Sequence, residues 1–149
     1  MATWSEIEAD AAEFATRVRD RFDAGTNKTL ATLRRDGSPR ISGSELEFTD
    51  TDVTLGMMPH SRKLHDVLRD PRVAIHSPTI EPPADTDAWA GDAKLSGRLV
   101  AIPLPDGGIA GSSSFRLDIT EAVLTYVTGD KLIVESWHPH RGWQRLART

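Results

Sequence analysis

The sequence contains no cysteine, which excludes disulfide scaffolds, thiolate metal sites and cysteine nucleophiles. It has no apolar run approaching the roughly 20 residues of a membrane span. The N-terminus carries Glu6, Glu8 and Asp10 and lacks the apolar core of a signal peptide. Basic residues are not in excess: 18 Lys+Arg stand against 22 Asp+Glu, a net charge of −4, which argues against a nucleic-acid-coating protein. There is no glycine-rich dinucleotide or phosphate loop and no Ser-His-Asp spacing, and Gly111-Ser112-Ser113-Ser114 reads as loop rather than a nucleophile turn. His60 and His65 are five apart rather than four, and His138-x-His140 has no third ligand in view, so no metal site is expected. What remains is a chain of 149 residues, 38% hydrophobic and 27% charged. These values suit one soluble, cytoplasmic globular domain that buries roughly 68–70% of its unfolded surface.

Ile7, Ala11, Phe14, Val18 and Phe22 share one helical face, and Ser5 with Glu8 reads as a capping box, so a helix is expected over 5–22. From Thr29 the period changes to two. Thr29–Arg34 and Pro39–Phe48 read as strands joined at Asp36-Gly37, a hairpin signal, and Val53–Met58 as the next strand. Pro59 breaks the run, and Ser61–Arg69 reads as a short helix stopped by Asp70-Pro71. Arg72–His76 and Ala93–Ile102 are further strands, with loops at 78–89 and 103–111. Phe115–Thr128 is apolar but interrupted near Thr120-Glu121, and Lys131–Trp137 follows the Gly129-Asp130 turn. Strands this close together leave no room for crossover helices. The expected class is mainly β, a mostly antiparallel barrel with peripheral helices.

Three segments carry candidate chemistry. Ser61 is a good N-cap, and Arg62 and Lys63 then fall in the first helical turn, where the dipole disfavours cations. They either point into water or meet an anion together with free backbone N–H groups and the serine hydroxyl, as at a phosphate site. Arg40-Ile41-Ser42-Gly43 is polar and small on alternate positions. Gly43 marks either a bulge or a place where a flat ligand approaches the backbone, and Gly56 has the same two readings. The segment from Glu135 to Arg145 gathers Trp137, Trp143, His138, His140, Arg141 and Arg145. Its tryptophans either pack on the body of the protein or cover a ligand or partner subunit.

In combination, Leu30-Ala31-Thr32-Leu33, Asp36-Gly37-Ser38-Pro39, Gly56-Met57-Met58-Pro59-His60-Ser61-Arg62-Lys63 and Leu68-Arg69-Asp70-Pro71-Arg72-Val73-Ala74 resemble the pyridoxamine 5'-phosphate oxidase-like, FMN-binding split-barrel family. The resemblance is strong over residues 29–77 and looser beyond. It implies a six-stranded antiparallel split β-barrel with peripheral helices, and a homodimer with flavin at the subunit interface. It further implies that Arg62 and Lys63, helped by Ser61, hold the FMN phosphate. By the same resemblance, Arg40, Ile41, Ser42 and Gly43 lie along the isoalloxazine ring, and Gly56, Met57 and Met58 line the phosphate and ribityl approach. Trp143 and Arg145 are the nearest equivalents of the family's C-terminal residues that reach the flavin of the other subunit. Met57 stands where the true oxidase usually has a hydroxyl residue. The implied activity is an FMN-dependent oxidoreductase acting on a small organic molecule, with chemistry supplied largely by the cofactor and no acid–base residue assigned. Two alternatives share the fold. One is a deazaflavin-dependent reductase, whose longer acidic tail Arg69 and Arg72 are available to meet. The other is a non-enzymatic flavin- or haem-binding protein, with His138 or His140 as iron ligand.

Overall fold

The period-two alternation from Thr29 onward becomes a wholly antiparallel sheet in the computed structural model, which describes residues Met1–Thr149. The strands are β1 (Lys28–Leu33), β2 (Pro39–Ser44), β3 (Glu47–Phe48), β4 (Val53–Met57), β5 (Arg72–His76), β6 (Asp92–Ile102), β7 (Ser113–Thr128), β8 (Lys131–His138) and β9 (Gly142–Arg148). Their order is β2-β1-β5-β6-β7-β4-β3, with β8 and β9 continuing from β7. The expected six-stranded path is therefore β2-β1-β5-β6-β7-β4. The two-residue β3 and the β8–β9 hairpin are additions to it. The expected strand over 39–48 is interrupted at Glu45-Leu46, and the segment after His138 turns back as β9 to place Trp143 opposite Trp137.

The N-terminal segment differs from the single helix over 5–22. It forms α1 (Trp4–Asp10) and α2 (Ala12–Phe22), broken at Ala11 with φ −145° and ψ 65°. Thr3, not Ser5, is the N-cap. Its hydroxyl accepts from the Glu6 N–H, and the Glu6 carboxylate accepts from the Thr3 N–H, which completes the box two residues earlier than expected. The break lets Asp10 accept a 2.7 Å hydrogen bond from the Trp137 indole while Ile7, Phe14, Val18 and Phe22 all stay buried. Trp4 and Phe22 meet Phe48 edge-on and tilted, at 4.9 and 5.8 Å between ring centres. Burying each of these rings contributes about 2 kcal/mol or more.

Strand β7 organises the sheet. One of its edges pairs with β6 from Ser114 to Thr125. The other edge is divided: Ser113–Arg116 pair with β4, and Ala122–Thr128 pair with β8. Between them Ala2 exchanges two backbone hydrogen bonds with Ile119, of 2.9 and 2.8 Å. The interruption near Thr120-Glu121 is a bulge inside one continuous strand. Ser96 faces Glu121 while Gly97 faces Ile119, so Thr120 is the extra residue. The apolar positions change phase there, from Phe115, Leu117 and Ile119 to Ala122 and Leu124, and all five remain buried. Helix α3 (Arg62–Arg69) joins β4 to β5 and buries Leu64, Asp66 and Val67. No helix is long and apolar enough to cross a membrane.

Candidate functional site

At the start of α3 the chain leaves β4 through Pro59 and His60, the latter at φ 61°. Such a conformation is uncommon for a side-chain-bearing residue. Ser61 then caps the helix, its hydroxyl accepting from the Leu64 N–H at 3.3 Å. Arg62 and Lys63 occupy the first turn with no acidic residue beside them on the helix. The two side chains diverge. Arg62 lines an entirely polar depression of about 320 Å³ with Arg35, Arg40, His60, His65, Asp66 and Arg69. Lys63 lines a larger cavity of about 510 Å³, floored by Gly56 and Ser114 and walled by Met58, Leu104 and Ile109.

Asp66 organises the polar depression. It is 2% exposed and accepts from Thr32 Oγ1 at 2.7 Å, Arg40 Nε at 2.7 Å and Arg69 Nη2 at 3.1 Å. Burial pushes its carboxyl up, but the hydrogen bonds from Arg40, Thr32 and Arg69 outweigh this and hold it at about 2. Arg69 also donates to the Leu33 carbonyl at 2.7 Å. Arg40 and Arg69 are thus already neutralised, whereas Arg35 and Arg62 line the same depression without a carboxylate partner.

Strand β2 presents Pro39, Ile41 and Gly43 outward, with Ile41 74% exposed, while Arg40, Ser42 and Ser44 are more enclosed. Gly43 pairs regularly with Thr29 and is not among the glycines with positive φ, so the bulge reading of Gly43 is excluded. A Cβ there would meet nothing within 4 Å, and at Gly56 it would meet only the Ser113 carbonyl oxygen at 3.7 Å. The Lys63 ammonium donates to the Gly43 carbonyl at 2.8 Å, joining α3 to β2, and burial lowers its pKa. Met57 borders the cavity but is 1% exposed and part of the core, whereas Met58 stands out into solvent.

Trp143 and Arg145 lie elsewhere. They line a depression of about 480 Å³ with Arg17, Tyr126 and Glu135. Buried Glu135 accepts from Arg17 at 2.8 Å, Tyr126 at 2.6 Å and the Trp143 indole at 2.8 Å. Burial raises its pKa, but hydrogen bonds from Tyr126, Trp143 and Arg17 bring the carboxyl below its usual range. Trp143 pairs with Trp137, which pairs with Ala122, whereas Gly56 pairs with Ser114. That separation along β7 is roughly 25 Å. The His138 ring nitrogen Nε2 lies 2.8 Å from Glu121 Oε2 and is committed to that partner.

Sequence reasoning passed over Arg35 and Asp66, and gave Glu135 no role beyond opening the C-terminal segment. Asp66 carried a usable signal: an acidic residue one helical turn after Arg62 and three before Arg69, the spacings at which helical side chains meet. Glu135 has no local signal, because its three donors come from α2, β7 and β9.

The architecture has close counterparts among solved structures. A pyridoxamine 5'-phosphate oxidase-related, FMN-binding protein from Nostoc punctiforme PCC 73102 superposes with TM-score 0.64 at 11% identity, covering 93% of this chain and 96% of that one. PhzG from Burkholderia lata 383, in complex with tetrahydrophenazine-1-carboxylic acid, gives TM-score 0.65 at 13% identity over 93% and 89%. An F420 reductase gives 0.53 at 16% identity over 68% and 92%. No protein-family model matches the chain, and no curated protein matches its sequence. The mainly β, antiparallel chain therefore has the split-barrel fold of the pyridoxamine 5'-phosphate oxidase-related, FMN-binding proteins.

Proposed function

We propose that the protein is a flavin-binding oxidoreductase that holds FMN as a homodimer and acts on a small organic substrate. One observation carries this reading: the adjacent residues Arg62 and Lys63 open onto two unlike depressions, one cationic and polar, the other partly apolar and floored by a glycine. That pairing suits a ligand with a phosphate at one end and a flat ring at the other. Arg62 and Arg35 take the phosphate, with Ser61 capping the helix beneath it. The approach passes Gly56 and Met58, and the ring lies on the open backbone at Gly43. FMN supplies hydride or electron transfer when bound. The chain's own part is to bind and orient it, and Lys63, fixed on the Gly43 carbonyl, holds the strand beside the ring.

The deazaflavin alternative depends on spare cations for a longer acidic tail. The two that the sequence offered, Arg69 and Arg72, are engaged by Asp66 and Asp70, which favours FMN. Titration of the apoprotein with FMN tests the reading. Arg62→Ala is expected to weaken binding by about 1.5–3 kcal/mol, the worth of a hydrogen bond to a charged group. Gly43→Val is expected to abolish binding while the apoprotein melts within a few degrees of wild type, since valine suits a strand and the site is open. Unchanged FMN affinity in Arg62→Ala defeats the phosphate assignment, and normal binding in Gly43→Val defeats the ring placement.

The homodimer reading rests on the role that the family resemblance gives Trp143 and Arg145: with roughly 25 Å between Trp143 and the Gly56 cavity on one chain, they would reach a flavin there only on a second copy. Exposed Ile41, Met58, Leu68 and Ile109 surround the site and supply apolar surface for that contact. Light scattering at micromolar concentration is expected to give twice the chain mass. A monomeric mass with FMN still bound would contradict it.

A further inference from the structure

The buried Glu135 carboxylate is shared by donors from three elements. Arg17 of α2 and Tyr126 of β7 both donate to Oε2, at 2.8 and 2.6 Å, and the Trp143 indole of β9 donates to Oε1 at 2.8 Å. Arg17 also lies over the Tyr126 ring, 4.6 Å from its centre, so the Oε2 side is braced twice. The Oε1 side has one partner, and that partner is open to water: Trp143 is 46% exposed although its N–H is tied to a buried group. Strand β9 pairs with β8 alone, and every residue of it from Trp143 onward is exposed. An edge strand so exposed does little by packing to fix the indole, so this one hydrogen bond sets where the ring lies. Arg145, directly across from Glu135 in register, makes no ion pair with it, because Arg17 does. A buried ion pair is a weak source of stability, since desolvation offsets most of the attraction. This one holds an aromatic ring in place with nearly half its surface open.

We infer that Glu135 is a positioning residue for the flavin site: it fixes the Trp143 indole in the orientation in which the ring meets the FMN of a second copy. The inference rests on the homodimeric flavin reading and adds to it the residue that sets Trp143. Glu135 itself touches neither cofactor nor substrate; it acts through the indole. A ring fixed beforehand loses no rotamer freedom on meeting the cofactor, whereas a loose one does. Exchanging the carboxylate for an amide separates its two tasks. Glutamine has one acceptor oxygen. Arg17 and Tyr126 both require it, and Arg17 is charged, so the oxygen stays on their side and the amide NH2 turns toward the Trp143 N–H. Two donors then face each other, and the indole is released while the Arg17–Tyr126 side survives.

The test has two readouts on the full chain. In the apoprotein, the Trp143 indole N–H is the proton NMR signal lost in Trp143→Phe. Its hydrogen exchange is expected to be at least about tenfold slower than that of a free indole, and to return toward the free rate in Glu135→Gln. In the protein saturated with FMN, an indole touching the flavin donates an electron to its excited state and quenches its fluorescence. Trp143→Phe is expected to raise the emission of bound FMN, and Glu135→Gln to produce most of the same rise. The double substitution should emit no more than Trp143→Phe alone, since both act through one ring. Asp10→Ala, which removes the same kind of bond from the buried Trp137, controls for lost stability and is expected to emit as wild type. If Glu135→Gln does not fold, Glu135→Asp takes its place: the shorter side chain keeps a charge for the flexible Arg17 and withdraws from the indole. An indole that exchanges freely in the wild type, emission raised by Trp143→Phe but unmoved by the Glu135 variant, or additive effects in the double variant would each overturn the inference. The flavin reading fails differently. A wild type that binds no FMN, or emission unmoved by Trp143→Phe, removes that reading and the inference with it.

Discussion

Asp66→Ala is expected to be among the most damaging single substitutions in the protein, with a loss of about 3–5 kcal/mol in denaturant unfolding. The carboxylate is buried and is the shared acceptor of Thr32, Arg40 and Arg69. Its removal leaves two guanidiniums without a counter-charge in a depression that already holds Arg35 and Arg62. Asp66→Asn keeps the volume and one acceptor oxygen, so its cost should be smaller but of the same sign. The pH dependence has a definite direction. The folded carboxyl titrates at about 2, below its ordinary value of 3.8, so its contribution is fully present above pH 4 and is lost as pH falls through 2. That contribution is about 2 kcal/mol. Asp70, held down by hydrogen bonds from Arg72, titrates in the same window. The informative quantity is therefore the difference between wild type and Asp66→Asn, which should shrink toward pH 2. A difference independent of pH between 2 and 5 would refute the role given to Asp66.

Gly97→Ala should lower stability by about 3 kcal/mol, a fall of roughly 10 °C in melting temperature for a chain of this size. A Cβ at Gly97 overlaps the Asp118 carbonyl oxygen and lies 2.9 Å from the carbonyl carbon and 3.1 Å from the Ile119 Cα. All three neighbours are backbone and belong to the bulged strand, so relief requires opening the β6–β7 ladder where it carries the most paired residues. Gly43→Ala is the matched control on an edge strand with open space above it. A Gly97→Ala protein melting as wild type would mean that the bulge relaxes freely.

These two positions also mark what the sequence disclosed and what it did not. The strands were legible because alternation and turn residues are local: Asp36-Gly37 closes the first hairpin, and Asp70-Pro71 stops α3 where expected. The break near Thr120 was visible as a fault in the apolar pattern. That it is a one-residue bulge accommodated by Gly97 is a property of two strands together, which no single window contains. At the site, Ser61 as N-cap and the cations after it could be read directly, because capping depends on adjacent residues. The divergence of Arg62 from Lys63 depends on Asp66 and Arg40, 26 residues apart in sequence, and on Gly43. The helix break at Ala11 was hidden for the same reason, since Asp10 is drawn to an indole 127 residues away.

The seating of Ala2 against Ile119 has a consequence for association. Without it, the stretch of β7 between the ends of β4 and β8 would present unpaired N–H and C=O groups flanked by apolar side chains, a template for a foreign strand. One residue closes that template, and it sits next to Met1. Anything that displaces Ala2, such as a bulky fusion joined directly ahead of it, exposes a sticky edge in an otherwise intact fold. Damage at this point would register as aggregation on standing and leave the melting temperature almost untouched.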